Sequence, residues 1–376
     1  MTYLGEDIPK LGFGLMRLPK TDRNNDTSID IEQVKDMVDI FMNAGFTYFD
    51  TAFGYHGGFS EVAAKEAIVA RYPRESFQLA TKMPASSARS AEAAHAMFYT
   101  SLERSGAGYF DYYLMHNMGG TRTALFEKYG IWDFVSEQKE KGLIKHFGFS
   151  FHDKAEPLEA LLKAHPEAEF VQLQINYADW ESPVVEARKC YEVARAFNKP
   201  IIIMEPVRGG SLATLPTSVA DVFKAADSAA SLPSWALRFA ASKEGIITTL
   251  SGMSTPEQVH ENVALMRDFK PLTAEEHQVI TKAQEALEAL PNIACTACKY
   301  CLEECIEGIQ IPSILSTLNT YLKYENLEGA RRGYGFATMR VKASACTECG
   351  ACERVCPQQI AIIDELKRSV ELLENS

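Results

Sequence analysis

Residues 30–55, DIEQVKDMVDIFMNAGFTYFDTAFGY, contain a helix signal followed directly by a strand signal. Apolar residues recur at helical spacing over Ile31–Asn43, with Asp30 as the predicted N-cap and Gly45 as the predicted stop. Thr47–Asp50 is a short apolar run of the kind that forms a buried strand. This unit sets the pattern that much of the chain repeats.

The same alternation of helix and strand signals continues to about residue 270. The strand candidates are Leu11–Leu15, Thr47–Asp50, Phe77–Thr81, Tyr109–Met115, Ile144–Phe149, Phe170–Ile175, Pro200–Met204 and Gly245–Leu250. The helix candidates are Ile31–Asn43, Ser60–Arg71, Ala91–Arg104, Ile131–Lys141, Val184–Phe197 and Glu257–Arg267. Alternation indicates a parallel sheet. Eight strands, with no Gly-x-Gly-x-x-Gly after the first, favour an α/β fold of the closed (β/α)8 TIM-barrel type over a doubly wound sheet.

Length, charge and the N-terminus limit the class of protein. The chain has 376 residues, which suits a barrel of roughly 250 residues or slightly more with an added segment. A net charge of −12 disfavours nucleic acid and anionic membrane surfaces as partners. Met1–Lys10 has no secretory signal, and no apolar stretch is long enough to span a bilayer. We therefore expect a cytoplasmic protein.

The predicted second domain, residues 291–376, contains eight of the nine cysteines. A predicted helix at Thr273–Leu290, followed by Pro291, separates it from the barrel, residues 1–290. The cysteines form two runs of spacing C-x2-C-x2-C-x3-C: Cys295, Cys298, Cys301 and Cys305, then Cys346, Cys349, Cys352 and Cys356. Zinc sites usually separate two C-x2-C pairs by a longer loop, so these dense runs favour iron–sulfur clusters. The lone Cys190 is predicted to be a small core residue.

The cysteine segment resembles the bacterial two-cluster ferredoxins, in which the fourth cysteine of each run ligates the other cluster. The resemblance implies two 4Fe–4S clusters with crossed ligands. One would be held by Cys295, Cys298, Cys301 and Cys356, and the other by Cys346, Cys349, Cys352 and Cys305. Two features depart from the family: Ile306 replaces the proline that usually follows the fourth cysteine, and the runs lie farther apart.

Four polar residues end or follow successive strand candidates: Asp50, Tyr55, Lys82 and His116. Active sites of parallel barrels form at this end of the strands, so we expect these side chains to converge. Tyr55 can donate a proton to a developing alkoxide, and Lys82 would stabilise the phenolate and lower its pKa. Asp50 would hold Lys82, and His116 would orient a carbonyl oxygen. Each residue alone fits a structural role equally well, and their combination indicates an active site.

These residues lie in blocks that resemble the aldo/keto reductase family. The blocks are Phe49–Tyr55, Ser60–Glu61, Thr81–Lys82, Asp111–Asn117, Gln172–Tyr177, Ser251–Ser254 and Glu261–Asn262, and the similarity covers about Leu11–Asp268. With the cysteine runs, the chain resembles the bacterial iron–sulfur branch of that family. The resemblance implies the catalytic tetrad Asp50, Tyr55, Lys82 and His116 and an NAD(P)H cofactor. It also implies nicotinamide-carboxamide contacts at Ser150 and Gln172. The pyrophosphate and adenosine contacts that it implies are Gly209, Gly210, Ser251, Gly252, Met253, Gln258 and Asn262.

Two departures concern the nicotinamide end of the cofactor. Phe151 follows Ser150 where the family usually has Asn. Met204 or Glu205 stands where the family usually has an aromatic residue that stacks on nicotinamide.

A third departure concerns the 2′-phosphate of NADPH. The Lys or Arg that usually binds this phosphate is absent from three candidate positions, Gly252, Thr255 and Gln258. Glu257 and Glu261 make the stretch acidic. We therefore expect NADH to be favoured over NADPH, unless a distant arginine such as Arg208 reaches the phosphate.

The two kinds of redox group leave three interpretations open, because nicotinamide transfers a hydride and a cluster transfers single electrons. The clusters can be structural or redox-sensing beside ordinary NAD(P)H-dependent chemistry on a small carbonyl or alcohol. A flavin can link a ferredoxin- or flavodoxin-type electron carrier to the substrate. In the third interpretation, the protein is chiefly an electron-transfer partner whose barrel has lost reductase activity. The intact tetrad favours an enzyme.

Two clusters per chain predict about eight irons and eight acid-labile sulfides. Elemental analysis and sulfide determination on anaerobically purified protein will measure both. A result of two zincs without iron would contradict the iron–sulfur interpretation.

Overall fold

The computed structural model describes residues 3–22 and 25–374. Within them, eight parallel strands form a closed barrel in which each strand pairs with its neighbour in chain order and the last pairs with the first. The strands are β1 Leu11–Gly14, β2 Tyr48–Asp50, β3 Gln78–Met83, β4 Phe110–Met118, β5 Ile144–Phe151, β6 Phe170–Gln174, β7 Ile201–Met204 and β8 Ile246–Ser251. The predicted (β/α)8 barrel is confirmed.

Helices follow the strands and continue into the cysteine-rich part of the chain. They are α1 Ile31–Asn43, α2 Phe59–Ala64, α3 Ala91–Ser105, α4 Thr123–Lys128, α5 Ile131–Glu140, α6 Ala155–Ala164, α7 Ala187–Ala196, α8 Thr217–Ala226, α9 Leu232–Ala241, α10 Pro256–Arg267, α11 Ala274–Glu288, α12 Tyr300–Glu303, α13 Ile311–Tyr324, α14 Leu327–Ala337, α15 Ala351–Arg354 and α16 Ile362–Ser369. Short π-helical segments, Lys65–Val69 and Val370–Glu374, extend α2 and α16.

Capping residues account for several helix ends. The Asp30 carboxylate accepts a hydrogen bond from the Gln33 N–H at 3.1 Å, and the Ser90 hydroxyl accepts one from the Ala93 N–H at 3.2 Å. Both residues are therefore N-caps. Gly106 ends α3 at a φ of 62°, a left-handed conformation that glycine adopts without steric cost.

The segment between the two cysteine runs forms two helices that the sequence pattern did not predict, α13 and α14. α14 contains three glycines, which lower its intrinsic helix propensity. One of them, Gly333, lies so close to α13 that an added Cβ would be 2.8 Å from the Thr317 methyl carbon. Packing against α13 therefore explains why this weak helix former is helical.

The described chain forms two compact units. One consists of the residues up to Pro206 together with Ala236–Leu272, and it contains all of the strands named above. The other consists of Val207–Trp235 and the residues from Thr273 onward. The division into residues 1–290 and 291–376 stays a prediction. No helix in residues 3–22 and 25–374 is both long and apolar enough to cross a membrane.

Gly148 gives a test of the barrel packing, because it lies in β5 opposite Phe170 of β6. A Cβ at Gly148 would lie 2.2 Å from the Phe170 carbonyl oxygen, a backbone atom of the neighbouring strand. We expect Gly148→Ala to destabilise the protein by about 3 kcal/mol and to lower its Tm in anaerobic circular-dichroism melts. Gly54→Ala is the control, since Gly54 has a φ of −98° and open space around its α-carbon. Equal Tm values for the two variants would contradict this account.

Candidate active site and iron–sulfur ligands

The interior of the barrel changes from apolar to polar along its strands. The buried apolar layer includes Tyr48, Ala80, Leu114 and Phe170. The polar layer lies two residues further along the same strands and is formed by Asp50, Lys82, His116 and Gln172. Because alternate residues of a strand point to the same side, the polar side chains share the interior face. Three of the predicted tetrad residues are therefore placed together by strand geometry.

Lys82 is the centre of this polar layer. Its ammonium group donates hydrogen bonds to the Asp50 carboxylate and, at 2.8 Å, to the Thr51 carbonyl oxygen. Its Nζ lies 3.4 Å from the Tyr55 hydroxyl oxygen. Lys82 is only 1% exposed, and burial alone would lower its pKa, but Asp50 and Tyr55 raise the pKa above its usual value. The side chain is therefore a buried cation at neutral pH.

A tight turn after β2 brings the fourth tetrad residue, Tyr55, to Lys82. The Tyr55 N–H donates to the Ala52 carbonyl oxygen at 3.1 Å, and the chain then passes through left-handed conformations at His56 and Gly57. The Tyr55 and His116 rings meet edge to face, with centroids 5.8 Å apart. The structure thus brings all four predicted catalytic residues together.

Tyr55 and His116 are both uncharged at neutral pH. Burial raises the pKa of the Tyr55 hydroxyl, although Lys82 acts to lower it. This direction is opposite to the one expected from the sequence, because the lost hydration of the phenolate outweighs the attraction of the ammonium group. Burial, with Lys82 and His152, lowers the pKa of His116 well below 6.5. Its neutral ring can donate one hydrogen bond, and within the described residues the buried Nδ1 has no partner.

Ser150 and Gln172, the predicted nicotinamide contacts, are neighbours in register on β5 and β6. The Gln172 amide donates to the second Asp50 carboxylate oxygen at 3.2 Å, and the Ser150 hydroxyl accepts from the Asn117 N–H at 2.8 Å. Both side chains are buried. The structure therefore places them beside the tetrad.

The other predicted nucleotide residues of the barrel unit lie at the end of β8, in the loop after it and in α10. Asn262 donates to the Ser251 hydroxyl at 3.0 Å, and the Ser254 N–H donates to the Gln258 side-chain oxygen at 2.7 Å. Thr255 caps α10. Gly252 and Met253 lie within the same short loop. These hydrogen bonds fix the conformation of the loop. The Gln258 side-chain oxygen is already an acceptor in one of them.

Gly209 and Gly210 belong to the second compact unit, within the turn Arg208–Gly210. The Arg208 guanidinium lies over the Tyr324 ring at 4.7 Å. The Asn326 amide donates to the Ser211 hydroxyl at 3.1 Å. The segment that follows β7 is therefore held by residues from the end of α13 and the start of α14.

The eight clustered cysteines line two small cavities, four cysteines to each. One is lined by Cys295, Cys298, Cys301 and Cys356, and the other by Cys305, Cys346, Cys349 and Cys352. A 4Fe–4S cube binds each thiolate through a different iron, so its ligands surround a cavity, and both sets fit such a cube. In the described part of the chain, no group of three or more His, Cys, Asp or Glu side chains is arranged to hold an individual metal ion.

The two cysteine runs share one backbone conformation. Two residues after the first cysteine, φ is 55° at Ala297 and 58° at Glu348. Two residues later, φ is 71° at Lys299 and 70° at Gly350. Alternation of right- and left-handed residues turns successive N–H groups towards one side, which forms concave anion sites of the kind found at iron–sulfur clusters. The sequence repeat is therefore also a structural repeat.

The turn after the fourth cysteine is also the same in both runs. The Gly308 N–H donates to the Cys305 carbonyl oxygen, and the Gln359 N–H donates to that of Cys356, both at 3.0 Å. Ile306, which departs from the ferredoxin pattern, therefore leaves the backbone at Cys305 in the same conformation as its proline-containing counterpart.

A closed parallel barrel with buried polar residues at the C-terminal ends of its strands is the usual architecture of a barrel enzyme. Residues 10–285 match the aldo/keto reductase family, and residues 294–361 match the 4Fe-4S dicluster domain. The chain therefore belongs to the aldo/keto reductase family and carries a C-terminal 4Fe–4S dicluster domain. No curated protein matches the chain.

Solved aldo/keto reductases share the barrel. The holo form of an enzyme from Bacillus halodurans is 23% identical with a TM-score of 0.60, covering 76% of this chain and 96% of its own. An enzyme from Klebsiella pneumoniae in complex with NADP and acetate is 19% identical with a TM-score of 0.59, covering 74% and 92%. One from Brucella melitensis is 24% identical with a TM-score of 0.56, covering 73% and 95%. These similarities show the fold.

Three groups around the site were not predicted from the sequence. The Thr51 carbonyl and the Asn117 N–H are backbone groups, so the residue type at these positions does not reveal their role. The third is Arg17, whose aliphatic stem lies against Gly252: an added Cβ there would be 3.1 Å from the Arg17 Cδ. Its position just after β1, at the C-terminal end of the barrel, was the available signal.

The crossed cavities predict which cluster each fourth cysteine affects. We expect Cys356→Ser to alter the same electron paramagnetic resonance signal of the reduced protein as Cys298→Ser, because both thiols line one cavity. Cys305→Ser should alter the other signal, as Cys349→Ser does. If Cys356→Ser instead reproduces the spectrum of Cys349→Ser, the ligands are not crossed.

Proposed function

We propose that this protein is an aldo/keto reductase-type oxidoreductase that reduces a small carbonyl compound, or oxidises the alcohol, with a nicotinamide cofactor. The observation that carries the proposal is the buried Lys82–Asp50 ion pair, with Nζ 3.4 Å from the Tyr55 hydroxyl. Apolar residues of similar volume would often stabilise a barrel interior equally well, so a buried ion pair beside a tyrosine favours a chemical role.

Tyr55 is the proton donor in the proposed reaction. The nicotinamide supplies the hydride when it is bound. As negative charge develops on the substrate oxygen, the Tyr55 hydroxyl transfers its proton to that oxygen, and Lys82 stabilises the phenolate. Asp50 keeps Lys82 charged and in position. The neutral His116 ring donates a hydrogen bond that orients the same oxygen.

Ser150, Gln172 and the loop after β8 are the proposed nucleotide-binding residues of the barrel unit. Gly209 and Gly210, which the family pattern also implies, belong to the other compact unit. Barrel enzymes frequently bind phosphate at the loops after strands seven and eight, and a helix N-terminus such as that of α10 favours an anion. The Klebsiella pneumoniae relatives in complex with NADP and NADPH support a nicotinamide cofactor. The acidic residues of this loop, taken alone, predict a preference for NADH.

The second domain is proposed to hold two 4Fe–4S clusters on the crossed cysteine sets, which would make single electrons available. A ferredoxin- or flavodoxin-type carrier is the partner that we propose for them. The two cysteine-lined cavities favour this electron-transfer role as a second function beside the carbonyl chemistry. The alternative is a flavin bound in the barrel, which would link electron transfer by the clusters to the carbonyl chemistry.

The catalytic proposal predicts the effect of Tyr55→Phe and Lys82→Met. Both variants should reduce 4-nitrobenzaldehyde at least about a hundredfold more slowly, because one loses the donated proton and the other loses the cation beside it. Anaerobic turnover of 4-nitrobenzaldehyde with NADH and NADPH measures the rate. Fluorescence titration should show that both variants still bind the nucleotide.

The matched controls are Tyr99→Phe and Lys163→Met, which make the same changes on exposed helix surfaces. Near-full turnover in both active-site variants would mean that the tetrad has no catalytic role. Flavin bands in the visible spectrum of the anaerobic wild-type protein, together with no nicotinamide binding, would replace the proposal by the flavin alternative.

A further inference from the structure

Arg17 lies against the loop after β8, the acidic loop that is proposed to bind the nucleotide. A nucleotide phosphate bound there would require a nearby positive charge. The turn Leu15–Arg17 follows β1 directly. The Arg17 stem covers Gly252, because an added Cβ on that glycine would be 3.1 Å from Cδ and 3.3 Å from Cγ of the arginine. The arginine stem therefore packs directly on the face of Gly252 that has no side chain.

Closure of the barrel produces this contact. Phe13 of β1 is in register with Ser251 of β8, so the segments that follow the two strands leave the barrel side by side. The Ser254 hydroxyl donates to the Arg17 carbonyl oxygen at 2.6 Å, and the Gln33 amide of α1 donates to the Ser254 carbonyl oxygen at 3.2 Å. Arg17 is thus held on the loop by its backbone as well as by its stem.

The charges around this loop determine which nucleotide it accepts. Glu257, in the first turn of α10, has a pKa lowered by its own backbone N–H and by Thr255, so it is a carboxylate at neutral pH. Glu261 adds a second negative charge one turn later. Counted alone, these residues disfavour a 2′-phosphate. The Arg17 side chain, whose stem lies against Gly252 of the same loop, carries a guanidinium group, and arginine binds phosphate through paired, charge-assisted hydrogen bonds.

We propose that Arg17 binds the 2′-phosphate of NADPH and makes NADPH the preferred nucleotide, an inference that rests on the proposed nicotinamide function. Arg17 takes the role of the lysine or arginine that is missing at Gly252, Thr255 and Gln258. The absence of a side chain at Gly252 is what gives the arginine stem its place. The preference is therefore opposite to the one expected from the loop residues alone.

The test is the dissociation constant of each nucleotide, measured by anaerobic fluorescence titration of the cluster-loaded protein. Wild-type protein should bind NADPH more tightly than NADH. Arg17→Ala should weaken NADPH binding on the order of ten- to a hundredfold and change NADH binding much less, since only NADPH carries the 2′-phosphate. Arg17→Lys should restore part of the NADPH affinity, because it keeps the charge and loses the paired geometry.

Arg267→Ala is the matched control, because it removes the same charge from the exposed opposite end of α10. It should leave both dissociation constants unchanged. Arg17→Met is a second variant that should weaken NADPH selectively, because it keeps an aliphatic stem against Gly252 and removes the charge, and it covers the case in which Arg17→Ala does not fold. Equal losses for NADPH and NADH, no loss, or tighter binding of NADH to wild-type protein would overturn the role of Arg17. Absence of binding by either nucleotide would instead overturn the proposed function.

Discussion

The buried charge of Lys82 is the constraint on which the arrangement of the barrel interior depends. Removing an ammonium group from water costs several kcal/mol after relaxation, in order of magnitude, so the interior must supply its partners. The Asp50 carboxylate, the Thr51 carbonyl and the Tyr55 hydroxyl surround Nζ. Gln172 in turn holds the second oxygen of Asp50. The residues that satisfy the charge are thus the residues that fix the tyrosine.

This constraint links the register of the strands to the candidate chemistry. Asp50 and Lys82 point into the barrel only because each lies two residues after a buried apolar residue on its strand, Tyr48 and Ala80. A shift of one residue in either strand would turn the charged side chain to the helix layer. The apolar layer below therefore positions the polar layer above it.

The sequence was sufficient for those parts of the molecule that are encoded locally. Short apolar runs separated by capped amphipathic helices predicted the eight strands, and the polar residue after a strand predicted where the tetrad converges. The direction of the Tyr55 pKa could not be predicted, because it depends on how burial and the Lys82 charge balance. Arg17 could not be assigned either: its contact with Ser254 spans 237 residues and exists only because the barrel closes. The helix α14 could not be predicted because its glycines disfavour a helix, and it is helical because it packs against α13.

The contacts of the turn after β7 have a consequence for how the protein matures. Tyr324 and Asn326, which hold Arg208 and Ser211, lie between the two cysteine runs. Segments that bind metal through clustered cysteines usually order themselves only when the metal is present. We therefore expect the turn Arg208–Gly210 to acquire its final contacts late, only after the cysteine-rich segment has bound its iron.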